Sequence, residues 1–236
     1  MYGYRYGFYG FDWTYILLII GMLLSLAASA KLRSTFAKYR GVRNASGLTG
    51  AEAAARILRA AGITDVQIRA IPGSLTDHYD PRTKTVSLSQ DIYGQTSLAA
   101  VGVAAHECGH AIQDADSYAP LKIRGALVPV ANFGATLSWP LIILGLFMGS
   151  GSVLIQIGIL MFSLSVLFQL VTLPVEFNAS SRAVRLLDEN GILVGQEVGQ
   201  TRQVLSAAAL TYVAAAAASI LQLLRLLILF GNRRDE

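Results

Sequence analysis

Charge is what this 236-residue chain is short of: only 14% of it is Asp, Glu, Lys or Arg, against about 25% in soluble domains. From Gly125 to Val175 there is no charged residue at all. Cysteine is nearly absent too. The single Cys108 excludes an internal disulfide, so nothing argues for an oxidising compartment. It reads as a small helix filler, with a catalytic thiol as the weaker alternative. Histidine occurs only at 78, 106 and 110, which limits any metal site to three imidazoles. There is no Gly-rich phosphate loop and no aromatic–basic repeat, so the pI near 9.3 is not read as a nucleic-acid surface. The first apolar stretch lacks a small-residue exit followed by a polar start, so no cleavable signal is expected.

What is present is apolar: 53% of residues are hydrophobic, and the mean hydropathy is +0.49. Four stretches are long enough to cross a hydrocarbon layer of about 30 Å: Trp13–Ala30, Leu127–Met148, Val153–Leu173 and Val204–Phe230. Gly149-Ser150-Gly151-Ser152 separates the middle two into a membrane hairpin, and Pro129 and Pro140 are expected to kink its first arm. The Tyr/Gly run from Met1 to Asp12 reads as an interfacial aromatic collar. Of the 19 Lys and Arg, 12 lie between Lys31 and Arg124, and Arg182, Arg185 and Arg202 add to the same face. The positive-inside rule puts that face in the cytoplasm and both termini outside.

Between the first span and the hairpin lies a segment with soluble-domain punctuation. Thr49-Gly50-Ala51-Glu52 is a capping box before a helix Ala51–Ala61 closed by Gly62. Alternation at Val66, Ile68 and Ala70 predicts a strand. Ser74–Tyr79 and Lys84–Ser89 flank the turn signal Asp80-Pro81-Arg82-Thr83, and together these predict a small antiparallel sheet. Ser97 to Gln113 then reads as a helix carrying His106-Glu107-Cys108-Gly109-His110. This fits H-E-x-x-H. Positions i and i+4 share a helix face, so both imidazoles can reach one Zn²⁺, and Glu107 can act as general base on a metal-bound water. Zinc brings the pKa of such a water from about 15.7 towards roughly 7.

A catalytic zinc usually has three protein ligands. The metzincin continuation fails, because Gln113 stands at its glycine position and Asp116 at its last histidine. Asp114 follows His110 by one turn, but three ligands in a row on a straight helix cannot close around a tetrahedral metal. Glu176 is the stronger candidate. It lies two spans after His110, and an even number of crossings returns the chain to the same side; Pro174 is expected to start a new helix there. Its bland alternative is an acid in the first turn of that helix.

Three stretches, Leu75-Thr76-Asp77-His78-Tyr79-Asp80-Pro81, Ala104–Gln113 and Pro174-Val175-Glu176-Phe177-Asn178-Ala179-Ser180, resemble the YugP-type membrane zinc metallopeptidases, distantly similar to HtpX-type and prenyl-endoprotease gluzincins. The resemblance covers nearly the whole chain. It implies one Zn²⁺ per chain on His106, His110 and Glu176, with Glu107 as catalytic base. HtpX-type relatives read E-x-x-x-D where this chain has Ser180, so Asn178 or Ser180 is expected to hydrogen-bond the zinc histidines instead of an acid.

The expected fold class is a mainly α multi-pass membrane protein. It would have about four transmembrane helices and a small α+β membrane-proximal zincin-like domain. The expected parts are 1–30 (collar and first span), 31–126 (catalytic domain), 127–173 (hairpin), 174–203 (third-ligand helix) and 204–236 (last span and tail). The expected reaction is hydrolysis of a peptide bond in a peptide or membrane-protein substrate held as an extended strand. His78, Tyr79, Arg182 and Tyr212 are the candidate oxyanion donors. A non-enzymatic membrane scaffold with a vestigial metal site is the alternative. A site-2-type protease fits poorly: the apolar lead Leu98–Ala105 is only eight residues, and no N-P-D-G-like stretch follows. A transporter also fits poorly, since the spans carry almost no ionisable groups to line a pathway, Arg225 near the end of the last being the exception.

Overall fold

The structure, a computed structural model, describes residues 12–149 and 152–231. The Tyr/Gly collar and the tip of the hairpin turn lie outside the described residues. Seven helices and three strands follow in order. They are α1 (Tyr15–Arg40), α2 (Gly50–Ala60), β1 (Gln67–Ile71), β2 (His78–Asp80), β3 (Thr85–Ser89), α3 (Gln90–Tyr93), α4 (Leu98–Ala115), α5 (Ala119–Met148), α6 (Val153–Glu189) and α7 (Gln196–Phe230). Helices α1, α5, α6 and α7 are each long and apolar enough to cross a membrane. The protein is a multi-pass helical membrane protein with a small α+β region.

Within the spans, packing uses small residues. Along α5, Ala131, Gly134, Ser138, Ile142 and Gly145 form one buried stripe with helical spacing against α6. In lipid no hydrophobic force pulls helices together, so close approach and van der Waals contact must do it. The large side chains of the same helices, such as Phe133 and Phe147, point outward.

The α+β region is built around α4. Ser97 caps it, its Oγ accepting from Ala100 N at 3.1 Å. Fourteen of its 18 residues are buried, among α2, β3, α6 and α7. Such burial on nearly every side suits a helix of alanines and glycines, whose small side chains let neighbours approach. Helix α2 begins with the expected capping box: Thr49 Oγ accepts from Glu52 N at 3.2 Å, and the Glu52 carboxylate accepts from Thr49 N at 2.8 Å. Gly62, at φ +70°, closes it, with Ile63 N donating to Leu58 O.

Two expectations are corrected. The sheet is mixed, in the order β1-β3-β2. β2 pairs antiparallel with β3 across the Asp80–Thr83 turn, but β1 pairs parallel with β3. The six-residue link from β1 to β2 carries the chain past the place β1's neighbour would occupy in a meander, so β3 takes it. Pro174 starts no new helix: α6 runs unbroken from Val153 to Glu189. A helix break at the end of a span would leave backbone groups without water, and continuing the helix outweighs the local cost of one proline, about 3 kcal/mol. Helix α5 likewise continues through Pro129 and Pro140.

Candidate metal centre

His106 and His110 project from one face of α4, their ring centroids 4.7 Å apart. Glu176, on α6, is buried and meets both. Its Oε2 lies 3.2 Å from His106 Nε2 and 3.7 Å from His110 Nε2. The three ligand atoms all fall within 4.8 Å of one another. Asp114 is not part of this group. It accepts from Tyr79 Oη at 2.9 Å and pairs with Lys84 Nζ at 2.6 Å, which ties α4 to the sheet.

The hydrogen bonds around His110 settle which of its nitrogens carries the hydrogen. Arg182 Nε donates to Asn178 Oδ1 at 2.9 Å. Gln113 Nε2 donates to that same oxygen at 3.0 Å and to Val175 O at 2.9 Å. With its amide NH₂ so engaged, Gln113 presents Oε1 to His110 Nδ1 at 3.0 Å, and that nitrogen must carry the hydrogen. His110 Nε2 is therefore the basic nitrogen, and it points at a carboxylate. Ser180 Oγ lies 3.1 Å from His106 Nδ1 and holds the other ring by its far side. Two imidazole nitrogens and a carboxylate oxygen converge where either a shared proton or a cation can sit between them, and this donor set fits Zn²⁺. Burial opposes a proton on His110, but Glu176, Glu107 and Gln113 outweigh it and lift its pKa above the usual imidazole value. The same field favours a metal cation.

Arg124 was not among the residues singled out in the sequence. It reaches back from the start of α5 and places Nη1 3.2 Å from Glu176 Oε1, the carboxylate oxygen turned away from the histidines. The turn that allows this holds Ser117 at φ +56°, with Tyr118 N donating to Gln113 O at 2.8 Å. No local pattern announces it. Gln113, fully buried, carried a signal that was present but unread: a polar residue one turn beyond a ligand, on the packed side of the helix.

A cavity of about 410 Å³ opens over the cluster, lined by Glu107, Tyr79, Arg124, Tyr212 and the three ligand residues among others. Glu107 is 7% exposed and also borders a smaller cavity of about 130 Å³ with Asp77 and Val103. Of the four oxyanion candidates, His78, Tyr79 and Tyr212 line the larger cavity. Arg182 does not; it pairs with Asp116 at 2.5 Å. His78 is exposed, its Nδ1 2.9 Å from Thr76 O. Cys108 is fully buried against Ala54 O, and burial, with Glu107 nearby, pushes its thiol well up. It is no nucleophile.

Comparison with known proteins agrees with this chemistry. A family model described as "putative neutral zinc metallopeptidase" matches residues 14–231. The "putative membrane protease YugP" of Bacillus subtilis (strain 168) is 48% identical over 223 residues, which cover 94% of this chain and 99% of that protein. No solved structure matches the chain.

Proposed function

We propose that this chain, which belongs to the neutral zinc metallopeptidase family, is a membrane-bound endopeptidase that holds one Zn²⁺ on His106, His110 and Glu176. The observation that carries this reading is the convergence of those three ligand atoms within 4.8 Å beneath a cavity that Glu107 also lines. Bound zinc would supply Lewis acidity to the scissile carbonyl and to a water. The chain's own residues then divide the remaining tasks. Glu107 takes a proton from the attacking water as its oxygen bonds to the carbonyl carbon, and delivers it to the leaving nitrogen as the C–N bond breaks. Gln113 and Ser180 keep the two rings in place. Tyr212 is the hydroxyl donor nearest in type to what a developing oxyanion needs, because Tyr79 already gives its hydroxyl hydrogen to Asp114.

Substrate would bind as an extended strand. β2 is an edge strand, and Asp77, His78 and Tyr79 line the cavity, so main-chain groups on that edge are available to a peptide. The basic residues between Lys31 and Arg124 favour a cytoplasmic site with both termini outside. Activity on an unfolded protein and zinc content of the purified full chain test the reading together. Glu107→Gln should keep zinc and lose cleavage by about 10²- to 10⁴-fold, while Glu176→Ala should lose zinc. Cleavage undiminished in Glu107→Gln would return the chain to the scaffold reading.

A further inference from the structure

A groove of about 670 Å³ runs between α6 and α7, with Ser180 among its lining residues. Its outer end carries Arg185, Asp188 and Arg202; its inner end carries Phe177 and Leu210. A second cavity of about 260 Å³ shares Arg202, Ser206 and Leu210 and adds Lys31, the first residue past the N-terminal apolar run. Elsewhere the arginines that flank the site are neutralised: Arg40 by Asp91, Arg124 by Glu176 and Arg182 by Asp116. Among the described residues Lys31, Arg185 and Arg202 have no such partner, and Asp188 is the one acid lining the groove. Two arginines against one acid leave the groove positive, and Lys31 in the adjoining cavity adds to it.

The polarity gradient has a direction. Helix α6 leaves its apolar run as it passes Phe177 and reaches Arg185 two turns later; α7 enters its apolar run between Arg202 and Leu210. The cationic end therefore lies beyond the spans and the apolar end at their boundary. Phe177 is 49% exposed and Leu210 47% exposed, so the inner end offers bare apolar surface continuous with the spans. Hydroxyls of Ser181 and Ser206 stand between the two ends.

We propose that this groove is a binding site for an anionic phospholipid. Its phosphate would lie on the Arg185 and Arg202 guanidiniums, and its acyl chains along Phe177 and Leu210. Arginine presents a planar fork that matches phosphate oxygens two at a time, and basic pockets between membrane helices are suited to anionic headgroups. A free phosphate would satisfy the cations and leave the apolar end uncovered.

The test is lipid retention by the full-length protein, purified from mixed phosphatidylglycerol and phosphatidylcholine and weighed intact by native mass spectrometry. Wild type should keep phosphatidylglycerol in preference to phosphatidylcholine. The Arg185→Gln/Arg202→Gln variant should lose that preference by about tenfold or more, with an unchanged thermal midpoint. Equal retention in wild type and variant overturns the proposal. So does displacement of the lipid by inorganic phosphate at matched concentration, which would make the site one for free anions. If the double variant fails to fold, wild type decides alone: no preference for phosphatidylglycerol over phosphatidylcholine overturns the site, and a preference lost on raising salt supports it.

Discussion

At the scale of single residues, the metal cluster depends on side chains that never touch the metal position. Gln113 fixes the tautomer of His110 only because its amide nitrogen is held by Val175 O and Asn178 Oδ1. Replacing it by Leu keeps the volume, frees the ring and leaves a buried imidazole N–H unpaired. Zinc affinity should fall by about 10- to 100-fold, measured by competition with a chelator, with the helix content unchanged. Asp77 allows a prediction about pH. Its carboxylate accepts from Ser89 N at 2.7 Å, yet burial outweighs that bond and raises its pKa above the ordinary 3.8. The folded chain thus keeps the Asp77 proton to higher pH than the unfolded chain does. Its contribution to stability is neutral while both forms are protonated, falls as pH rises from about 4 through the folded pKa, and is level beyond it. Asp77→Asn can keep both bonds to Ser89 without the charge. Its thermal midpoint should therefore gain on wild type as pH rises over that window. The meeting of His106, His110 and Glu176 was legible at this scale, because spacing on one helix and parity of the spans both point to it. The expectation of Asn178 or Ser180 behind the histidines also came from a single departure from a pattern, and Ser180 does meet His106. Arg124 was not legible, since a charge just before an apolar run reads as a membrane-flanking residue whether or not it folds back.

At the scale of elements, the decisive contact is α4 against α6. A Cβ on Gly109 would stand 2.7 Å from Ala179 O, closer than atoms can approach. Glycine at the second x of H-E-x-x-H is therefore what lets the ligand-bearing face of α4 come within reach of Glu176. Gly109→Ala should force the helices apart. It should cost about 1–3 kcal/mol of stability and lower zinc occupancy, read by thermal unfolding and metal analysis. The same substitution at Gly125, where a Cβ would meet nothing within 4 Å, is its control. Helix starts were legible wherever a capping side chain marks them, as at Thr49 and Ser97. The parallel pairing of β1 with β3 was not, because strand alternation says which face is buried and nothing about which strand lies alongside. Nor was the continuity of α6, because Pro174 carries the same letter whether it opens a helix or sits inside one. Only the surrounding solvent decides between the two.

At the scale of the whole molecule, four apolar helices and the bias of basic residues make a topology that labelling can test. A cysteine introduced at Gly149, with buried Cys108 as an inert background, should react with an impermeant thiol reagent from outside the cell. Reaction from the cytoplasmic side alone would invert the orientation. The number of spans was legible because hydropathy integrates over some 20 residues and tolerates local error. Their packing was not, since any apolar residue serves equally well against lipid or against another helix. Helix α6 joins these levels. At 37 residues it is a rod about 55 Å long, with its first half among acyl chains and Glu176 beyond the midpoint. A rod has no independent ends. If the hydrocarbon layer thins, α6 tilts to keep its apolar length covered, and α4, packed on it where Gly109 meets Ala179, is drawn along with Glu176. Bilayer thickness should thereby set the angle at which the whole His106–His110–Glu176 group stands to the lipid surface, and cleavage of a membrane-held substrate should follow acyl-chain length while zinc content stays level.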